Sequence, residues 1–196
     1  MPLYILKNKE APWADYGDIL LSGMTGHLER QNNLLQLERT GPFIPPVIIS
    51  GIGDIIITNE IKKKISLSDI SDISDISGIE FKPVIKKHIV DLDWTIWNFN
   101  SDEPDFYPDS GEPEDYILEK PHSSEIAEKL GDVWELVVKE SGNIKNGCYM
   151  KGDEKLDILK AENQIVILVT QKAKDWFSEN AGDWIQFEQI KIQSEK

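Results

Sequence analysis

One cysteine, Cys148, stands among 196 residues, which excludes an internal disulfide and any zinc site built from cysteines alone. No Cys-His signature of a nucleophile surrounds it, so it reads as a small, half-buried side chain. Histidine is almost as scarce. His27, His88 and His122 are scattered, and none has the H-E-x-x-H or H-x-H spacing that places two imidazoles around one metal. No apolar run approaches the ~20 residues a membrane helix needs. The opening MPLYILKNKEAPW lacks the basic and long apolar stretches of a secretory signal. A nucleophile elbow, a phosphate-binding loop, a kinase set and a deaminase signature are missing too. These absences predict a cytoplasmic protein with no metal, no other cofactor and no catalytic residues, so an enzyme is not expected.

Basic charge is the other deficit. The net charge is −14, and its distribution is uneven. Residues 1–66 hold seven basic and seven acidic side chains, residues 67–135 five and eighteen, and residues 136–196 nine and ten. The middle third therefore carries −13 of the excess. Such a surface repels nucleic acid and anionic membrane and attracts a basic protein. Solubility alone is the plainer use of it.

Apolar residues make up 40% of the chain, with six Trp, six Phe and five Tyr, enough to form a core and to exclude disorder of the whole. The length fits a single domain over 1–196, with two closely packed lobes, 1–135 and 136–196, as the alternative. Leu3–Leu6 reads as a first strand. The stretch 18–37 fits a helix or an irregular hairpin. Arg39-Thr40-Gly41-Pro42-Phe43-Ile44-Pro45-Pro46 predicts a rigid extended approach, with Gly41 and Pro42 shaping a turn and Pro45 and Pro46 delivering the chain to a strand at Val47, because each Pro fixes its own φ and restricts the residue before it. Gly51-Ile52-Gly53-Asp54 superficially matches a dinucleotide loop, but Ile55-Ile56-Ile57 follows where a helix is required, so it reads as a turn.

Thr58 or Asn59 predicts a helix cap, with Ile61, Ile65 and Ile70 on the helix behind it. Ser-Asp-Ile then repeats three times from Ser68. A period of three drifts around a helix of about 3.6 residues per turn, which suits a lengthened helix end or a surface loop. Residues 80–85 and 88–92 alternate as strands. Tyr116-Ile117-Leu118 reads as a re-entry to the sheet. Ser123 or Ser124 caps a short helix ending before Gly131, and Trp134–Val138 follows as a strand. Gln164–Val169, a helix over 171–180 and a strand over 184–192 with a bulge at Glu188-Gln189 complete the pattern. Strands and helices mix without βαβ alternation. The expected class is α+β: a mixed, largely antiparallel sheet, a few short helices and a long acidic loop.

That loop, SDEPDFYPDSGEPED over 101–115, has seven carboxylates, three Pro and no basic residue, so an exposed, semi-rigid conformation is expected. Trp94 and Trp97 lie just before it, and Phe106 and Tyr107 inside it. Bulky aromatics beside charge resemble the anchors and rim of a protein interface, although tryptophans in such places often serve packing. The predicted partner-binding set is Trp94, Trp97, Asp102, Glu103, Asp105, Phe106, Tyr107, Asp109, Glu112, Glu114 and Asp115. Calcium needs six to eight oxygen ligands, and the acid spacing here does not match its known loop pattern.

Arg39–Pro46, the strand and turn up to Thr58, Gly78-Ile79-Glu80-Phe81-Lys82-Pro83-Val84, Trp94, Trp97, Pro113-Glu114-Asp115-Tyr116 and Gly131-Asp132-Val133-Trp134-Glu135-Leu136 together resemble bacterial immunity proteins of polymorphic toxin systems. The likeness is to the family numbered forty-three, with the family numbered eleven as a relative in style, and it covers roughly residues 39–136. The Ser-Asp-Ile expansion departs from that pattern. The resemblance implies a cytoplasmic antidote that binds and neutralises a cognate toxin domain, with no cofactor. A toxin acting on nucleic acid has a basic cleft that an acidic inhibitor can occlude. A carboxylate-based or metal-assisted hydrolase using the loop at 101–115, and a non-enzymatic adaptor module, are the alternatives.

Overall fold

Short β-branched runs build most of the framework. The computed structural model describes residues 2–67, 76–103, 111–150 and 155–193. Among these residues the elements, in chain order, are β1 (Leu3–Asn8), α1 (Ala14–Ser22), β2 (Gln36–Gly41), β3 (Val47–Ile49), β4 (Ile55–Thr58), α2 (Asn59–Leu67), β5 (Ile79–Pro83), β6 (Ile85–Asp91), α3 (Pro113–Glu119), α4 (Ser124–Lys129), β7 (Val133–Val138), β8 (Asn143–Lys145), β9 (Cys148–Met150), β10 (Ile158–Lys160), β11 (Ile167–Thr170), α5 (Gln171–Ala181) and β12 (Ile185–Gln193). The protein is α+β. Its six-stranded sheet has the order β10-β11-β1-β12-β9-β8, its four-stranded sheet the order β3-β4-β7-β5, and β2 pairs with β6. The β12-β9 and β2-β6 pairs are parallel, and the other ladders are antiparallel.

Ile55-Ile56-Ile57 of β4 does not alternate in polarity because both of its faces are covered. Ile55 and Ile57 meet Leu6, Ile167, Val169 and Phe177, a core shared by both larger sheets and α5. Ile56 turns the other way, toward Leu37, Ile89 and Ile126 on β2, β6 and α4. Burying such a side chain contributes about 1.5–3 kcal/mol, so this one strand fastens three layers. The predicted caps form: Thr58 Oγ1 accepts from Ile61 N at 3.4 Å and Ser123 Oγ from Ile126 N at 3.3 Å. The predicted turn at Gly51–Asp54 joins β3 to β4, with Gly53 N donating to Ser50 O at 2.9 Å.

Elsewhere the structure departs from the sequence reading. Arg39, Thr40 and Gly41 already form the end of β2, so the lead-in is shorter than the sequence suggests; the turn expected at Gly41 and Pro42 is present, at a cis peptide, and the strand expected at Val47 is β3. Arg39 is fully buried. Its guanidinium donates to Thr40 O (2.8 Å), Leu21 O (2.9 Å) and Phe43 O (2.8 Å), binding the end of α1 to this turn. Gly41 is required there, because an added Cβ would lie 2.5 Å from Ile126 Cγ2.

Tyr116-Ile117-Leu118 is helical, and residues 113–115 leave the acidic loop to begin α3. Pro113 in the first turn and the carboxylates of Glu114 and Asp115 near the helix N-terminus explain why. Tyr116 and Ile117 are buried while Leu118 is 59% exposed. The strand expected over 164–169 starts at Ile167. Gln164 and Val166 belong to a turn, and Ala161 N donates to Val166 O at 2.9 Å.

The bulge expected at Glu188-Gln189 is absent. The ladder with β1 runs unbroken from Asn8↔Ile185 to Leu3↔Ile190. The apolar pattern slips because the buried face changes: Ile185 and Phe187 pack with Leu6 on the α5 side, and Ile190 with Leu3, Ile144 and Tyr149 on the opposite side. The Ser-Asp-Ile repeat lies outside the described residues as far as Asp75.

Candidate functional site

After β6 the chain makes a turn-rich segment, Leu92–Glu103, that packs against α1 and α3. Short polar side chains shape it. Asp93 Oδ1 accepts from Thr95 N at 3.0 Å and from the Thr95 hydroxyl, and Asn98 Oδ1 accepts from Asn100 N at 3.2 Å. Trp97 N donates to Trp94 O at 3.0 Å and Ser101 N to Asn98 O at 3.1 Å. These turns bury Trp94, leave Trp97 and Phe99 half-buried and put Ile96 outside.

An aromatic cluster holds the segment from beneath. Trp13 lies 5.0 Å from Phe99, 6.1 Å from Trp97 and 6.0 Å from Tyr16 between ring centroids, and its Nε1 donates to Ser101 O at 2.9 Å. Trp94 packs edge-on to Phe43 at 5.3 Å. Ile96, 82% exposed, stands on this platform beside half-buried Trp97. Trp13 and Ala14 both have positive φ, 61° and 49°, a left-handed conformation that costs about 1–2 kcal/mol per non-glycine residue. The aromatic contacts and the hydrogen bond hold Trp13 in it.

Carboxylates ring the platform. Asp93, Asp102, Glu103, Glu112 and Asp115 are exposed and Glu114 is half-buried. None of them has an ion-pair partner among the described residues. The packing of α1 on α3 brings both ends of the acidic segment to Tyr16, whose phenol is pushed up to about 12, first by burial and then by Glu103 and Glu112. Asp18, two residues further along α1, is also raised, by burial and then by Asp15.

The predicted set thus divides. Trp97, Asp102, Glu103 and Glu112 gather around one patch, with Glu114 and Asp115 on the first turn of α3. Asp105, Phe106, Tyr107 and Asp109 lie outside the described residues. Trp94 is a correction: at 2% exposed it is a packing residue and offers no surface to a partner. Three residues that complete the patch, Trp13, Ile96 and Phe99, were not in the set. Trp13 follows a Pro in a segment with no apolar periodicity, and only tertiary packing brings it to Trp97.

The three histidines and Arg30 are engaged by structure. His88 Nε2 meets Lys120 O at 2.7 Å, His122 Nδ1 accepts from Ile89 N at 3.0 Å, and His27 Nε2 meets Glu38 Oε2 at 3.0 Å. Arg30 forks onto buried Glu135 with two bonds of 2.8 Å and reaches Asp54 at 2.9 Å, pinning the loop before β2 to the four-stranded sheet. Among the described residues no three His, Cys, Asp or Glu side chains are placed to hold a metal ion, and no helix is long and apolar enough to cross a membrane. No protein-family model, curated protein or solved structure matches the chain.

Proposed function

We propose that this protein is a cytoplasmic, non-enzymatic immunity protein that binds and neutralises a basic toxin domain through the Ile96–Trp97 patch and its acidic rim. The observation that carries the reading is the exposure of Ile96, 82%, beside Trp97 in a segment packed on an aromatic cluster, inside a stretch, residues 89–119, that has ten carboxylates and no basic side chain. An apolar anchor at the centre and unpaired charge around it is how protein interfaces divide affinity from steering. The resemblance over residues 39–136 and the −13 balance of the middle third favour the same partner class.

In this reading the rim accelerates encounter with a basic cleft, an effect screened over about 8 Å at physiological salt. The apolar anchor slows departure, because most affinity differences arise in dissociation. The test is co-expression with the product of the adjacent gene, scored by growth and co-purification. The unaltered protein should protect and co-purify. Ile96→Asp with Trp97→Ala should fail at both while melting at the normal temperature. Asp102→Asn with Glu103→Gln should slow association several-fold and flatten its salt dependence. Full protection by the Ile96/Trp97 variant would place recognition elsewhere, and absence of any complex with the unaltered protein would reject the reading.

A further inference from the structure

Two cavities adjoin at Asp183 and Trp184. The larger, about 680 Å³, lies at the C-terminal end of α5 between Glu179, Asp183, Trp184, Phe187 and Pro46. The smaller, about 210 Å³, continues past Trp184 to Asp18 and Leu21 of α1, Pro12 and Glu10. Trp184 is half-buried and rests on Phe43 at 5.7 Å, and Phe43 in turn meets Trp94, so the indole is a fixed wall.

Acidic side chains outnumber basic ones in the lining of this groove. Glu10, Asp18, Glu179 and Asp183 have no ion-pair partner among the described residues. Two lysines line it as well. Lys174 is turned onto the rings of Tyr4 (4.9 Å) and Phe187 (5.8 Å), and Lys9 lies at the far end. The final carbonyls of α5 add partial negative charge at the larger cavity, and no basic side chain occupies the helix's last turn. A tryptophan wall, carboxylates in reach and a helix carbonyl end make a site for a planar cation, which stacks on the ring while its N–H groups fork onto carboxylates.

We propose that this groove is a second recognition site, one that takes an arginine side chain of the same basic partner, with the guanidinium on Trp184 and its donors directed at Asp183 and Glu179. The inference rests on the basic-partner reading above and extends it: the partner presents an arginine in addition to the surface that meets Ile96. A guanidinium suits the site better than an ammonium because the wall is flat and two carboxylates, Glu179 and Asp183, line the cavity beside it.

The test uses the full chain and the peptide acetyl-Arg-Arg-Arg-amide, titrated while the indole and backbone resonances of Trp184, Asp183 and Gly182 are followed by NMR. The matched citrulline peptide, neutral and nearly isosteric, is the control. The arginine peptide should give saturable shifts at these residues, and the citrulline peptide should give none. Glu179→Gln with Asp183→Asn should raise the Kd at least five-fold, with the fold intact by its spectrum and the Trp97 indole unmoved. Equal affinity for the citrulline peptide, no saturable shift at Trp184, or an unchanged Kd in the double variant would overturn the proposal. Any of these outcomes beside intact neutralisation rejects this groove alone. Arginine binding here beside failed neutralisation rejects the toxin-binding reading instead.

Discussion

Replacing Trp13 with alanine should loosen residues 92–103 before it loosens anything else. The indole makes three ring contacts, to Tyr16, Trp97 and Phe99, and one hydrogen bond to Ser101 O. Each aromatic pair contributes about 0.5–1.5 kcal/mol beyond burial and the hydrogen bond about 1 kcal/mol. Trp13 is only half-buried, so a loss of about 2–3 kcal/mol is a fair measure. The left-handed backbone cost at this position does not enter, because alanine shares it with tryptophan. Expressed as local opening, that loss corresponds to a fall of about 30- to 150-fold in protection. Amide hydrogen exchange reads it directly, since Trp97 N and Ser101 N donate within the segment. Amides of the β1-β12 ladder serve as the internal reference. Trp13→Phe separates the terms: it keeps a ring and loses the donor, so protection should fall only about five-fold. If Trp13→Ala lowers protection at Trp97 and Ser101 less than three-fold, or lowers it equally throughout the chain, the aromatic platform does not hold this segment in place.

Three further outcomes follow from buried groups. Arg30→Ala should lower the free energy of urea unfolding by about 2–3 kcal/mol, because Glu135 is left buried without its forked partner, and Arg30→Met with Glu135→Leu should recover most of the loss. An equal loss in the double variant would refute that account. Gly41→Ala should destabilise by about 1–3 kcal/mol through the clash with Ile126, and Ile126→Ala in the same chain should relieve part of the clash. Additive losses would refute it. Burial raises the carboxyl of Asp54 by more than nearby Arg30 lowers it, so the folded state keeps this proton to higher pH than the unfolded chain does. Stability from the protonated form is complete below the unfolded value of about 4 and is lost as pH rises through the folded one. Asp54→Asn, permanently neutral, should therefore gain melting temperature relative to the unaltered protein between pH 4 and pH 7. A difference that does not change over that window would show that burial does not dominate at Asp54.

Local chemistry was enough to read many elements from the chain itself. Thr58 and Ser123 cap helices because a hydroxyl meets an amide three residues on, and Gly51–Asp54 turns because it joins two apolar runs; neither depends on distant residues. The α+β class followed in the same way, from where periodicity changes. What sequence pattern left undecided were the places where two faces of one element meet different surroundings. Ile55-Ile56-Ile57 shows burial but not that two separate cores share it, and Ile185–Ile190 imitates a bulge because its buried side changes midway. Tyr116-Ile117-Leu118 reads as apolar whether strand or helix, and the start at Pro113 together with the packing of α1 decided for helix. The candidate site divided along the same line. Acidity and tryptophan content around residues 94–115 are properties of the chain. Which tryptophan is hidden, which isoleucine is presented and that Trp13 supports the segment depend on contacts such as the one across 88 residues from Trp13 to Ser101, and only tertiary packing makes them.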